Sequence, residues 1–262
     1  MERGDARMVS VWIFRADDGR TGKERILAAV RLAGHAGDEE KAVEDAAETP
    51  AWRVGRTERG KPYFPEQPGI HFSISHSGEL WVCALGESPL GVDVQKCVKK
   101  RGESDREAAG RFGRMARRFF HPREADWVER DPGQRFFRIW AAKESYVKYT
   151  GEGIGAGFDL FCTVPPPETE EREAAGAESQ TVRREGWDGK VQVPFEAGRD
   201  AERWEAAGPD WAEEHWKASG SWFYARKLPG GYELCVCSGP QKEFIQIRYF
   251  DEISGNNGHK CE

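Results

Sequence analysis

The chain has 262 residues, of which 38% are hydrophobic and 32% charged, with a formal net charge of −6 at pH 7. A chain of this length can bury one substantial core or two smaller cores packed together, and its 14 Phe and 10 Trp favour a folded protein over a disordered one. No stretch reaches the ~20 apolar residues of a membrane span, and the start MERGDARMVSVWIF lacks the apolar run of a signal peptide. We therefore expect a cytoplasmic protein with no membrane partner.

The negative charge is concentrated in one segment. Residues 165–217 contain fourteen acidic and seven basic residues, a net of −7, which leaves the rest of the chain at +1. Proteins that bind nucleic acid usually present a basic face with interleaved stacking aromatics. No part of this chain has that composition, so we expect no nucleic acid partner.

Up to residue 98, the pattern predicts four strands and one helix. The apolar residues within 23–33 recur at helical spacing, whereas those within 70–77 alternate with polar residues as in a strand. The predicted strands are residues 9–14, 70–77, 80–85 and 90–94.

Beyond residue 98, residues 101–130 predict one or two helices and residues 136–149 predict the strongest helix of the chain. A hairpin is predicted over 222–227 and 232–237, around the turn sequence LPGG. The acidic residues 165–218 have weak periodicity and predict a long loop or insertion. Strands in both halves, each accompanied by a helix, predict an α+β architecture of two lobes.

The cysteines predict buried thiols rather than a metal or redox site. They form no CxxC pair, which structural zinc sites and thioredoxin-like motifs require. Cys235 and Cys237 alternate in a strand pattern and should point the same way. The six cysteines are Cys83, Cys97, Cys162, Cys235, Cys237 and Cys261.

Two acidic residues about fifty positions apart carry the strongest functional signal. Asp93 lies in the strand pattern GVDVQ, and Glu144 lies in the helical segment WAAKESYVKYTG, one turn before Lys148. Aspartate is disfavoured within strands, and a buried carboxylate needs a partner or a metal. Two carboxylates with a lysine beside them suit a divalent cation that holds a polyphosphate. A solvated aspartate on an edge strand and an ordinary Glu–Lys pair on a helix surface remain the alternatives.

Two further features fit phosphate chemistry. Lys143 falls on the apolar arc of the helix, so we expect its amine to reach a fixed anion. Ser75 and His76 end a strand in ISHS, and they suit a phosphate or nucleotide contact. A Ser–His hydrolase is disfavoured because no glycine-flanked nucleophile elbow surrounds these residues.

Four segments, GKPYF, FSISHSG, GVDVQ and WAAKESYVKYTGEGI, resemble in order and spacing the Sfp-type 4′-phosphopantetheinyl transferases. The resemblance covers roughly residues 20–162, and GGYELCVCS resembles the terminal strand of that family. It implies two similar α/β lobes related by a pseudo-twofold axis, residues 1–98 and 99–262, with the acidic segment 165–218 inserted in the second lobe.

The resemblance also implies an activity. Members of this family transfer the 4′-phosphopantetheine group of coenzyme A to a serine of an acyl or peptidyl carrier protein, and they release adenosine 3′,5′-bisphosphate. Mg²⁺ is the implied cofactor, with Asp93 and Glu144 as ligands. Catalysis is assigned to Asp93, Glu144 and Lys148. The implied coenzyme A contacts are Arg25, with Lys23 beside it, Arg56, Lys61, Ser75, His76 and Lys148. A chain of this length resembles the larger family type that acts as a monomer.

The chain departs from the family pattern at Gln95, where many members have an acid. Glutamine offers a neutral oxygen, so the third metal ligand is either this oxygen or a water, and we expect a weaker affinity for Mg²⁺. The departure keeps open a coenzyme A-binding module that has lost catalysis. An unrelated metal-dependent phosphohydrolase is a further alternative, although such sites usually contain more carboxylates or histidines.

A basic region precedes the strongest helix. Carrier proteins of this system are generally acidic, so the region could steer docking; a solvated charged face explains it equally well. Its arginines are Arg101, Arg106, Arg111, Arg114, Arg117, Arg118 and Arg123.

Overall fold

The computed structural model describes residues 7–34, 52–153, 157–164 and 214–250. All four strands and the helix predicted in the first half are confirmed. A two-residue strand pair, β2 and β3, comes in addition. The elements of this half are β1 Met8–Arg15, α1 Gly22–Gly34, β2 Gly55–Arg56, β3 Pro62–Tyr63, β4 His71–Ser77, β5 Leu80–Gly86 and β6 Leu90–Lys96.

The second half contains the predicted helices and hairpin and two strands that were not predicted. The elements are α2 Asp105–Phe119, α3 Pro122–Glu129, α4 Pro132–Thr150, β7 Glu214–Ala218, β8 Ser221–Leu228, β9 Tyr232–Ser238 and β10 Phe244–Tyr249. The prediction of a loop over 165–218 is therefore wrong for its last residues, because 214–218 form β7 and pair with β8. Residues 165–213 lie outside the described ranges.

Two four-stranded sheets form the described α+β structure. Their orders are β10-β1-β5-β4 and β6-β9-β8-β7. The three-strand units β1-β5-β4 and β6-β9-β8 have the same order and the same antiparallel pairing. In both units a helical segment follows the first strand and precedes the hairpin. β10 joins the first sheet parallel to β1.

The main apolar core lies between the two sheets. Alternate residues of β1 and β5 pack there against alternate residues of β6, β8 and β9, as in Val11, Val82, Val92 and Val236, all at most 1% exposed. Fully burying such a side chain contributes roughly 1.5–3 kcal/mol. α1 packs in a second cluster with the other face of the first sheet, and α4 covers the other face of the second sheet. No helix in the described parts of the chain is long and apolar enough to cross a membrane.

The edge strands β4 and β6 meet through serine side chains. Ser73 Oγ accepts a hydrogen bond from the Val92 amide, and Ser77 Oγ accepts one from the Lys96 amide, both at 3.0 Å. Serines two residues apart lie on one face of a strand, so three hydroxyls of β4 point at β6. This arrangement satisfies amides on the edge of β6 and places Ser75 beside Asp93.

α4 carries the predicted acid and lysine across the second sheet. Its first turn is closed by Asp131, whose side chain accepts a hydrogen bond from the Gln134 amide at 3.3 Å. Pro132 opens the helix, where its missing N–H costs nothing. Gly151 ends it in the left-handed conformation at φ 74°, which glycine adopts without strain.

Candidate functional site

Asp93 is the centre of the site. It lies on β6 at 5% exposure, facing α4. Its Oδ1 accepts hydrogen bonds from Ser75 Oγ and from Lys148 Nζ, each at 2.7 Å. Its Oδ2 is buried and has no hydrogen-bond partner among the described residues. One oxygen of a buried carboxylate is therefore left for a group that the protein itself does not supply.

Glu144 and Lys148 come from successive turns of α4. Lys148 Nζ donates to the Val92 carbonyl at 3.1 Å as well as to Asp93. Burial raises the pKa of Glu144, and the nearby Asp93 charge raises it further, while Lys148 opposes both effects. Within the described ranges, no hydrogen bond reaches the Glu144 carboxylate. The structure thus brings together Asp93, Glu144, Lys148 and Ser75 from three elements.

The two carboxylates repel each other and are only partly compensated. Burial raises the pKa of Asp93, although Lys148, the Ser75 hydroxyl and His76 act in the opposite direction. Burial is the main cause of both raised pKa values, so the charged form of each carboxylate is disfavoured in the protein alone. A divalent cation bound by both would stabilise the charged forms.

The donor set fits Mg²⁺. This ion takes oxygen ligands and usually uses one or two carboxylates together with substrate phosphates and water. Asp93 Oδ2 and the Glu144 carboxylate are such oxygens. Among the residues that the structure describes, no group of three or more His, Cys, Asp or Glu side chains could hold a metal by itself. A cation bound to Asp93 and Glu144 would therefore need further oxygen ligands beyond these two side chains.

Gln95 lies two residues beyond Asp93 on the same face of β6. Its amide nitrogen donates to the Lys96 carbonyl at 3.4 Å, and the side chain is half-buried. Opposite it on β9 lies Glu233, which is 1% exposed and pairs with Arg138 of α4. The neighbouring strand therefore already holds an acid beside this position.

Of the two residues in ISHS that were predicted to contact phosphate, Ser75 is buried at the site and His76 is exposed. The Ser75 hydroxyl is bound to Asp93, and the residue is 8% exposed. His76 points to the other face of β4 and is exposed. Ser75 therefore orients Asp93, and His76 lies on the solvent-accessible face of β4.

Lys61 directly precedes β3, and its side chain contacts the C-terminal end of α4. Its amine donates to the Tyr149 carbonyl at 2.7 Å and to the Leu90 carbonyl at 3.5 Å. A lysine at the C-terminus of a helix is favoured by the helix dipole. Burial lowers the pKa of Lys61. Lys61 therefore lies beside the elements that carry Asp93 and Lys148.

The other predicted cations with described partners, Arg25 and Arg56, bond to groups close to them along the chain. Arg25 is 6% exposed and pairs with Asp18, and it also donates to the Ala16 carbonyl at 2.8 Å. Arg56 is exposed and donates to the Gly60 carbonyl at 3.0 Å. The hydrogen bonds of Arg25 and Arg56 thus remain within the first half of the chain.

Lys143 does reach an anion, but this anion is buried and lies outside the site. Its amine is 2.7 Å from Glu124 Oε2 of α3, and both side chains are 0% exposed. It also donates to the Phe158 and Phe161 carbonyls, while Glu124 Oε1 accepts from the Thr163 amide and hydroxyl. This pair fastens the segment 157–164 against α4. Glu124 was missed because its sequence looks like an ordinary helix surface.

The arginines of α2 are partly neutralised. Arg111 pairs with Glu103 at 2.8 Å, and Arg117 pairs with Glu129 of α3. Three arginines of α2 project into solvent from one side of the helix and have no described carboxylate partner. They are Arg106, Arg114 and Arg118.

The cysteines partly follow the expectation. Cys83, Cys235 and Cys237 are buried and free, and the last two point to the same face, towards α4. Cys97 is exposed and Cys162 half-buried. Cys261 lies outside the described residues.

Asp93 from a strand and Glu144 and Lys148 from a helix thus form one candidate site that suits a cation beside phosphate groups. Residues 89–193 match the family model of the 4′-phosphopantetheinyl transferase superfamily. This stretch contains Asp93, Gln95, Glu144 and Lys148. The match confirms the family resemblance through the segments GVDVQ and WAAKESYVKYTGEGI, whereas GKPYF and FSISHSG lie outside the matched residues.

Individual relatives agree. The chain is 40% identical over 111 residues to a 4′-phosphopantetheinyl transferase of Bacillus subtilis, covering 41% of this chain and 45% of the relative. It is 34% identical over 113 residues to the 4′-phosphopantetheinyl transferase Sfp of Bacillus subtilis (strain 168), covering 42% and 46%. It is 33% identical over 127 residues to the 4′-phosphopantetheinyl transferase HetI of Nostoc sp., covering 45% and 50%. The chain thus spans about half the length of the curated relatives it matches.

Proposed function

We propose that this protein is a 4′-phosphopantetheinyl transferase that requires Mg²⁺. It transfers the 4′-phosphopantetheine group of coenzyme A to a serine of an acyl or peptidyl carrier protein and releases adenosine 3′,5′-bisphosphate. The observation that carries this proposal is the free buried oxygen of Asp93, with Glu144 and Lys148 beside it, inside the segment that matches the superfamily.

Asp93 and Glu144 would hold Mg²⁺, with Gln95 or a water as a further ligand. The ion supplies positive charge to the pyrophosphate of coenzyme A. Lys148 adds a compact point charge that suits phosphate oxygens, and its contact with Asp93 keeps it aimed at the same place. These charges oppose the negative charge that repels an incoming hydroxyl oxygen.

The reaction forms one bond and breaks one. The serine oxygen of the carrier bonds to the phosphorus that bears the pantetheine. The bond from this phosphorus to the bridging oxygen breaks, and the bond electrons leave with adenosine 3′,5′-bisphosphate. Glu144 is the candidate acceptor of the serine proton, because its carboxylate has a raised pKa and no described hydrogen bond.

His76, Lys61 and Arg56 are proposed to contact coenzyme A. The exposure of His76 and Arg56 leaves them accessible to a ligand. Ser75 acts on the ligand through Asp93. Arg25 is proposed with the exposed Lys23 for the 3′-phosphate, and Asp18 weakens the contribution of Arg25 because it already neutralises that guanidinium.

The proposed architecture is a pseudo-twofold pair of lobes, residues 1–98 and 99–262, in one cytoplasmic monomer. It is supported by the common strand order of the units β1-β5-β4 and β6-β9-β8. An acidic carrier protein would dock on α2, where Arg106, Arg114 and Arg118 are exposed.

The direct test mixes the protein with coenzyme A, Mg²⁺ and either an apo-acyl or an apo-peptidyl carrier protein. Mass spectrometry should show one added phosphopantetheine group on the carrier serine, and Glu144→Gln should abolish the addition. Coenzyme A binding without modification of either carrier would favour a binding module instead. Release of phosphate from coenzyme A without a carrier product would favour a phosphohydrolase.

A further inference from the structure

Strand β6 and helix α4 touch through their backbones at Gly91. A Cβ atom at this position would overlap the Ser145 carbonyl oxygen, and it would lie 2.5 Å from the Tyr149 amide nitrogen. Both atoms belong to the backbone of the helix, which cannot move aside by changing a rotamer. A side chain of any size at position 91 therefore requires this part of α4 to lift away from the strand.

The part of α4 that rests on Gly91 carries the reactive groups. Lys148 lies between Ser145 and Tyr149, and Glu144 precedes Ser145. Lys148 Nζ reaches the Val92 carbonyl and Asp93 Oδ1, at 3.1 and 2.7 Å, within two residues of Gly91 along β6. A small displacement of the helix would break hydrogen bonds of this length, since they weaken steeply as they lengthen.

Contacts on either side of Gly91 hold α4 at this distance from the sheet. Ser145 Oγ lies 3.5 Å from Cys235 Sγ on β9, and Ala141 and Ala142 are 0% exposed in the same interface. The Tyr149 carbonyl is bound by Lys61. The small side chains of Ala141, Ala142 and Ser145 thus face the sheet in this part of α4, and the backbone of the helix lies directly against Gly91.

We propose that Gly91 is a positioning residue for the site: the missing side chain lets α4 rest on β6 and thereby sets the distance between Asp93 and the Glu144–Lys148 pair. Gly91 has no side chain to offer a ligand and acts through the distance between α4 and β6. The inference deepens the proposed function, and its catalytic consequence rests on that function. Its structural consequence does not.

The structural test is a double-mutant cycle, which measures the coupling of Asp93 and Lys148 without any activity. Asp93→Asn, Lys148→Met and the double variant are unfolded in urea in the natural background and with Gly91→Ala. In the natural background the shifts of the unfolding midpoint should not add, because the two side chains are in contact. With Gly91→Ala the non-additivity should be lost.

Gly86→Ala is the matched control. Its added Cβ would meet Leu90 Cδ2 at 2.9 Å, the far end of a flexible side chain rather than backbone. It therefore destabilises the neighbouring core without lifting α4, and the Asp93–Lys148 coupling should persist. Loss of the coupling in Gly86→Ala as well would mean that general destabilisation, and not the height of the helix, explains the result, and would overturn the proposal.

Cys235→Val provides a second route for the case in which Gly91→Ala does not fold. It adds a γ branch against Ser145 from the adjacent strand and should lift the same turn. Loss of coupling in a folded Cys235→Val protein supports the proposal. Retention of full coupling in a folded Gly91→Ala protein overturns it, as does retention in Cys235→Val if Gly91→Ala does not fold.

Activity gives an independent readout. A displacement of about 1 Å can cost about 100-fold in rate, so Gly91→Ala should lower kcat for transfer by about that factor and raise the Mg²⁺ concentration for half-maximal rate. Gly86→Ala should lower kcat only in proportion to its loss of folded protein. It should leave the Mg²⁺ concentration for half-maximal rate unchanged. If the natural protein shows no transfer, the proposed function fails, while the double-mutant cycle still decides the role of Gly91.

Discussion

Lys148 Nζ lies 2.7 Å from Asp93 Oδ1, and this contact joins helix α4 to strand β6 inside the site. The contact uses one oxygen of a carboxylate whose other oxygen is buried without a described partner. Lys148 therefore neutralises the charge of the Asp93 carboxylate only in part, and a bound cation would stabilise the negative charge that remains.

Asp93→Asn should remove the negative charge that a bound cation would stabilise. The amide keeps the shape of the side chain but loses the negative charge that attracts Mg²⁺, so the Mg²⁺-dependent rise in Tm measured with coenzyme A should disappear. Transfer should fall by about 10²–10³-fold, the scale on which the loss of one electrostatic group acts.

Glu87→Gln provides the control for Asp93→Asn, because it removes an exposed carboxylate of the same charge. It should keep the full Mg²⁺ response. A normal rise in Tm with Mg²⁺ in Asp93→Asn would show that Asp93 is not a ligand.

Gln95→Glu should lower the Mg²⁺ concentration for half-maximal transfer, because a third carboxylate makes the pocket more negative. It should also destabilise the fold by about 0.2–1 kcal/mol, since the new acid would face Glu233 directly across the ladder. A Mg²⁺ titration and a urea unfolding curve measure the two effects.

Gln95→Ala separates the two possible roles of Gln95. If the amide oxygen is a ligand, its removal should raise the Mg²⁺ requirement. If a water fills that position, Gln95→Ala should leave the requirement unchanged. An unaltered metal dependence in Gln95→Glu would remove the idea that this position tunes the ion.

The elements that carry the site could be predicted from the sequence because their patterns are local. Residues 136–149 show helical periodicity, and residues 90–94 form an apolar run interrupted by Asp93. The short strands β7 and β10 could not be predicted, since five or six residues show little periodicity and their pairing depends on distant neighbours.

The partners of the charged residues were the least predictable part of the site. The sequence predicts a ligand phosphate for Arg25 and an unspecified fixed anion for Lys143, whereas the structure pairs Arg25 with Asp18 and Lys143 with the buried Glu124. Such pairs form between elements that only the fold brings together. A local signal did exist for β4: the alternation of Ser73, Ser75 and Ser77 places three hydroxyls on one face, which indicates a polar neighbour.

Glu124→Ala should be among the most destabilising substitutions in the chain. It leaves the Lys143 ammonium at 0% exposure without its carboxylate, and breaking a buried ion pair in this way costs about 3–5 kcal/mol. It also removes the acceptor of the Thr163 amide and hydroxyl. Urea unfolding measures the loss.

Glu129→Ala on the same helix is the comparison for Glu124→Ala. Its pair with Arg117 is on the surface, where such contacts contribute about 0–1 kcal/mol. Equal losses in the two variants would mean that the Lys143–Glu124 pair contributes no more than a surface pair.

Lys61 should give the protein a distinctive stability profile at alkaline pH. Burial lowers the pKa of Lys61, and Cys237 opposes this effect. Between the lowered pKa of the folded state and the ordinary value of 10.5, the unfolded chain binds more protons than the folded one. The free energy of unfolding therefore gains a contribution that rises with pH across this interval.

Lys61→Met removes that contribution, so the stability of the natural protein relative to Lys61→Met should increase as the pH rises towards 10.5, as measured by urea unfolding at several alkaline pH values. The exposed Lys217 offers the matched substitution Lys217→Met, whose profile should run parallel to that of the natural protein. If the Lys61→Met profile is parallel as well, the lysine amine is solvated in the folded protein and does not lie against the end of α4.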